Sequence, residues 1–160
     1  MALEDVPLAD GDARVRPLAD AIRLFDYEYR QFRMRVAASQ GLSIPEFDAF
    51  TIVTFSSAPI TPKRLAEDLR MTTGAVTAMV DRLVGNGLFV RRPHPTDRRS
   101  VHVELTPAGQ EIVENIYRGF VRAFSPFAGL SDDHLDRLVA DVVAVTEAVR
   151  VGDQQLDPAR

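Results

Sequence analysis

Four arginines fall within one short stretch of this chain: Arg91 and Arg92 precede, and Arg98 and Arg99 follow, the segment Pro93-His94-Pro95-Thr96-Asp97. Guanidinium groups stay charged and donate in a planar fork, which suits phosphate oxygens. On the tip of a thin ribbon an arginine can enter a minor groove about 6 Å wide, whose narrow walls concentrate negative potential. Asp97 beside them is suited to orient a guanidinium or to form the turn. A second set lies upstream: Thr72, Thr73, Gly74, Thr77 and Ala78 are small or hydroxylated residues at the start of one helical pattern. Such a face can sink into a major groove about 12 Å wide, with methyl groups against thymine and hydroxyls toward bases or phosphates. Lys63 and Arg64 add two cations just before it.

Other chemistry is poorly supplied. There is no cysteine, hence no disulfide, thiolate nucleophile or cysteine-based oxidant sensor. His94, His102 and His134 are scattered without an i, i+4 partner, so neither a metal site nor a cofactor is expected. Asp132-Asp133 reads as electrostatics at a helix start. With no phosphate-binding glycine loop and no Gly-x-Ser-x-Gly elbow, no residue stands out as catalytic, and an enzyme is not expected.

The net charge of −4 seems wrong for a polyanion binder until it is divided. From 61 to 106 eight basic residues face five acidic ones, a local +3, which leaves −7 for the rest. At 160 residues, 46% hydrophobic and 26% charged, the chain is expected to form one globular domain with helical extensions. No apolar run approaches the roughly 20 residues of a membrane span. The N-terminus is acidic and unlike a signal peptide, so a cytoplasmic location is expected and no membrane partner.

Periodicity supplies the scaffold. Ile22, Phe25, Tyr29, Phe32 and Val36 form a helical stripe from Asp20 to Ala38, stopped by Gly41. Ser43-Ile-Pro-Glu46 reads as a capping box opening a helix through Phe47 and Phe50. Thr61-Pro62 caps a short helix through Leu65, Ala66 and Leu69, and Thr72 caps another running to Val84, with Val76, Val80 and Leu83 inward. Leu88–Arg92 and Ser100–Leu105 read as strands, the second clearly alternating, and 93–99 is expected not to pair. Thr106-Pro107 begins a long helix ended by Pro126 and Gly129, and a last helix follows Ser131.

Three short helices and a ribbon are the order of a winged helix-turn-helix. The expected fold is mainly α with a small two-stranded β-wing, a winged head carried on long terminal dimerisation helices. Arg70 is the odd residue, standing in the helix-turn-helix bend where glycine is common. The expected layout is a flexible N-terminus over 1–12, helical dimerisation segments over 13–42 and 106–151, a winged head over 43–105, and a tail over 152–160. A winged module that binds an acidic protein instead of DNA is the alternative, separable by salt dependence.

The runs Thr61-Pro-Lys-Arg-Leu-Ala-Glu-Asp-Leu, Thr72-Thr-Gly-Ala-Val-Thr-Ala-Met-Val-Asp-Arg-Leu, Gly87-Leu-Phe-Val-Arg-Arg-Pro and Asp97-Arg-Arg-Ser-Val-His-Val-Glu-Leu-Thr-Pro-Ala-Gly109 together resemble the MarR family. That resemblance implies a homodimeric transcription regulator, commonly a repressor, straddling a pseudo-palindromic operator. It places recognition-helix roles on Thr72, Thr73, Gly74 and Thr77, and minor-groove insertion on Arg99 first and Arg98 second, in an Asp97-Arg98-Arg99 wing motif. It also implies a small aromatic or phenolic effector between arms and head, where Tyr29, Phe32, Arg33, Phe47 and Phe50 are the candidate lining residues.

Overall fold

The computed structural model describes residues 10–93 and 100–156 of the chain. In order these are α1 (Asp10–Ser39), α2 (Ile44–Phe55), α3 (Pro62–Asp68), α4 (Thr73–Gly85), β1 (Phe89–Pro93), β2 (Val101–Leu105), α5 (Pro107–Phe124), a 3-10 turn (Ser125–Gly129) and α6 (Asp132–Leu156). Both outer helices run further than periodicity indicates. The first passes through Pro17 and starts at Asp10, and the last continues beyond Gly152 to Leu156. Apolar spacing marks only the stretch of a helix that has something to cover, so polar ends escape it.

Helix starts follow local chemistry. Glu46 reaches back to accept from the Ser43 N–H at 2.9 Å and from its hydroxyl at 2.7 Å, closing the α2 start. The Thr61 hydroxyl accepts from Arg64 N, and the Thr72 hydroxyl from Ala75 N. Thr106 does two jobs: its hydroxyl donates to Gly87 O at 2.6 Å and accepts from Gly109 N at 3.1 Å, joining the β1 approach to the α5 start.

Three helix ends use the same pair of returning bonds, and comparing them isolates one strained residue. After α1, Leu42 N bonds Ala37 O around Gly41; after α4, Leu88 N bonds Leu83 O around Gly87; after α3, Met71 N bonds Ala66 O around Arg70. The pivots have φ of +69°, +70° and +52°. Glycine adopts that conformation freely, whereas a side chain there costs about 1 kcal/mol. Arg70→Gly is therefore expected to stabilise the fold by about 0.5–1 kcal/mol, read as a rise in urea midpoint at unchanged slope.

The molecule divides into a unit ending at Gly119 and another from Phe120 onward. The core of the first is Phe47, Ala49, Phe50, Ile60, Leu65, Ala66, Val76, Met79, Val80, Leu83, Phe89 and Val103, all buried. Phe50 meets Phe89 edge-on, with centroids 4.9 Å apart, so α2 and the first wing strand close on each other. The strands pair antiparallel, Phe89 with Leu105 through Pro93 with Val101. Pro93 thus takes a ladder position, against the expectation that 93–99 stays unpaired; the end of a strand tolerates its missing N–H. Ile60 adds an isolated bridge to Val103, whose N–H reaches Ile60 O at 2.8 Å. In the second unit Phe124 and Phe127 lie 6.3 Å apart, and Leu135, Val139, Val142, Val143 and Val149 form an exposed apolar stripe on α6.

Candidate nucleic-acid interface

Helix α4 presents two different faces. Val76, Met79, Val80 and Leu83 are at most 2% exposed, whereas Thr73, Gly74, Thr77 and Ala78 are all exposed. The 3.6-residue period separates them, and Met79 joins the inner face although the sequence reading assigned it no place there. An added Cβ at Gly74 would meet nothing within 4 Å, so the helix start offers bare backbone to an approaching surface. Hydroxyl roles are already partly assigned. Thr77 donates to Thr73 O at 2.8 Å, leaving its methyl and an acceptor lone pair. Thr72 accepts from Ala75 N at 3.3 Å, leaving its proton to donate.

The helix-turn-helix contact is as the spacing suggests: Leu65 and Ala66 of α3 are buried against α4, and Leu69 and Met71 are half-buried. Lys63 and Arg64 are exposed in the first turn of α3, with Arg64 Nε 3.0 Å from Asp68. At the wing base, Arg91 Nη1 lies 2.5 Å from Asp81 Oδ1 of α4, and Arg92 Nε lies 3.6 Å from Glu104 Oε2 across the ladder. The longer, more exposed Arg92–Glu104 pair contributes about 0–1 kcal/mol, so a phosphate can replace Glu104 at Arg92 at small cost. Asp97, Arg98 and Arg99 lie outside the described residues.

Glu46 ties the other flank of α4, accepting from Arg82 Nη2 at 3.2 Å. Partial burial works to raise its pKa. The bonds from the Ser43 hydroxyl and N–H, then Arg82, outweigh that and hold the carboxyl below its usual value of 4.5. A carboxyl lowered on folding stabilises above its unfolded pKa, and that contribution is lost as pH falls through the folded value. Glu46→Gln should therefore cost stability at pH 7 and flatten the acid limb of the stability curve below about pH 4.5, which pH-dependent urea melts would read.

The five residues considered for an effector differ in burial. Phe47 and Phe50 are 3% and 1% exposed and belong to the core, while Tyr29 and Phe32 are half-buried. Arg33 lies 5.3 Å from the Phe47 ring centroid and 6.0 Å from that of Tyr29, and it pairs with Asp48. A cavity of about 610 Å³ opens elsewhere, lined by Val53, Ile60, His102, Glu104, Val113 and Glu114 among others. The sequence reading missed it because its walls come from α2, β2 and α5. Among the described residues no three His, Asp or Glu side chains gather as metal ligands, and no helix is long and apolar enough to cross a membrane.

Comparison with known proteins agrees with this geometry. The MarR family model matches residues 42–101. An uncharacterized HTH-type transcriptional regulator of Bacillus subtilis, YkoM, is 32% identical over 107 residues, 66% of this chain and 69% of that protein. The multiple antibiotic resistance protein MarR of Salmonella typhimurium is 39% identical over 88 residues, 55% of this chain and 57% of that protein. The crystal structure of wild-type MarR from Escherichia coli in its apo form superposes with a TM-score of 0.60 at 27% identity, covering 81% of this chain and 96% of that one. An outward small-residue helix, a ladder with arginines at its base and these similarities together place the chain in the MarR family, as a DNA-binding transcriptional regulator and not an enzyme.

Proposed function

We propose that this regulator is a homodimeric repressor, working in the cytoplasm on a pseudo-palindromic operator. The start of α4 enters the major groove and Arg99, seconded by Arg98, enters the adjacent minor groove. The observation that carries this reading is the exposed Thr73–Gly74–Thr77 face, backed by a fully buried opposite face. Dimerisation is supported by apolar side chains left exposed on single helices: Leu18, Leu24 and Phe25 on α1, Val139, Val142 and Val149 on α6. A two-fold pair repeats the basic patch one helical turn, about 34–36 Å, along the duplex. Base discrimination rests more on DNA shape than on bidentate contacts, since α4 carries no arginine, asparagine or glutamine in its first turns.

The test is selection of duplexes from a random pool, followed by a salt series on the winner. Log affinity should fall steeply with log salt, and Arg99→Ala should weaken binding several-fold while leaving the dimer intact. Salt-independent binding, or an unaffected Arg99 variant, contradicts the reading. An aromatic or phenolic effector that releases the DNA completes the proposal, supported by the grouping of Arg33 with Tyr29 and Phe47. Such a ligand must displace Asp48 from Arg33, and a panel of aromatic acids should raise the melting temperature for any that bind the native state.

A further inference from the structure

Asp81 poses a problem for a DNA-facing helix. It lies one turn beyond Thr77 and two beyond Thr73, so the i, i+4 spacing sets it on the same exposed stripe as the groove-facing residues. A carboxylate there repels phosphates. Its guanidinium partner is Arg91, at 2.5 Å, and Arg91 is fixed at its own end. Strand alternation puts Arg91 on the same ribbon face as Phe89, which is 1% exposed and packed edge-on against Phe50. Cross-strand, Arg91 faces Val103, itself 2% exposed. Its neighbour Arg82 makes the other tie, to Glu46 of α2. Consecutive residues of α4 thus brace the helix from two sides, one to the wing and one to α2.

We infer that Asp81 is a positioning residue: through Arg91 it sets the angle between the recognition helix and the wing, and so the discrimination of operator from other DNA. The inference rests on the DNA-binding mode proposed above. Two grooves must be engaged at once by elements that the Gly85-Asn86-Gly87 turn connects, that share the core through Phe89, and that this ion pair ties on their exposed side. A fixed angle favours duplexes whose groove widths match it. Loss of the brace leaves phosphate attraction intact and blurs the match.

The opposite expectations of charge and positioning make the test clean. Asp81→Ala removes a negative charge, so a purely electrostatic role predicts tighter binding to every duplex. Positioning predicts that the affinity ratio of selected operator to scrambled duplex falls about tenfold. The full-length protein, its Asp81→Ala and Asp81→Glu variants and the Asp81→Arg/Arg91→Asp exchange would be titrated against both duplexes at one salt concentration. The ratio should drop in the alanine variant and recover partly in the glutamate variant and the exchange, with melting temperatures within a few degrees of the parent, as expected for an exposed pair. An unchanged or raised ratio in Asp81→Ala overturns the inference, as does a fall that tracks loss of folded protein. A parent that selects no duplex at all overturns the DNA-binding mode itself, which is a distinguishable result.

Discussion

Gly109→Ala should destabilise the chain by about 3 kcal/mol, the cost of forcing a methyl group into a packed backbone contact. Gly109 is buried in the first turn of α5, and a Cβ built there would stand 2.2 Å from Leu88 O and 3.2 Å from Leu88 C. The obstacle is backbone, so no rotamer change relieves it. Leu88 O already accepts from Thr106 N at 3.0 Å. A shift there would pull on the residue that leads into Phe89, and hence on both the core and the wing ladder. Chemical denaturation should show the midpoint falling with an unchanged slope, and operator affinity should decline with it. Full stability in the variant would mean that α5 and the β1 approach are not in this close contact.

Gly74→Glu should do the reverse, separating stability from function. Open space surrounds the position, so the side chain meets no steric cost. It lies in the first turn of α4, where a carboxylate is favoured by the helix dipole and the glycine's extra backbone entropy is removed. The melting temperature should hold or rise slightly. Operator affinity should fall about a hundredfold or more, because like-charge juxtaposition in a desolvated contact costs several kcal/mol and the longer side chain holds the helix off the groove floor. Unaltered DNA binding would show that this helix start is not in the groove.

How far the sequence reveals this site varies residue by residue. The α2, α3 and α4 starts were legible because Ser43, Thr61 and Thr72 cap by local hydrogen bonds that depend on a neighbour three residues away. The two faces of α4 followed from its period, and the oddity of Arg70 from its place in a helix-turn-helix bend where glycine is common, with its φ of +52° known only from the structure. What could not be read were relations between distant segments: Ile60 bridging Val103, Glu46 meeting Arg82, Asp81 meeting Arg91. Each joins residues brought together only by packing, and charged residues pair promiscuously in sequence. Phe47 and Phe50 illustrate the same limit from the other side. Their place beside an arginine in sequence does not reveal that they are buried in the core, nor that Arg33 pairs with Asp48.

The most direct measurement is a hydroxyl-radical footprint of the full-length protein on its selected duplex. A two-fold regulator with α4 in the major groove should protect two patches whose centres lie about 10 base pairs apart or a multiple of that, with the flanking minor grooves covered by the wings. One uninterrupted patch the size of a single head, or no protection at concentrations that shift the duplex, would contradict it.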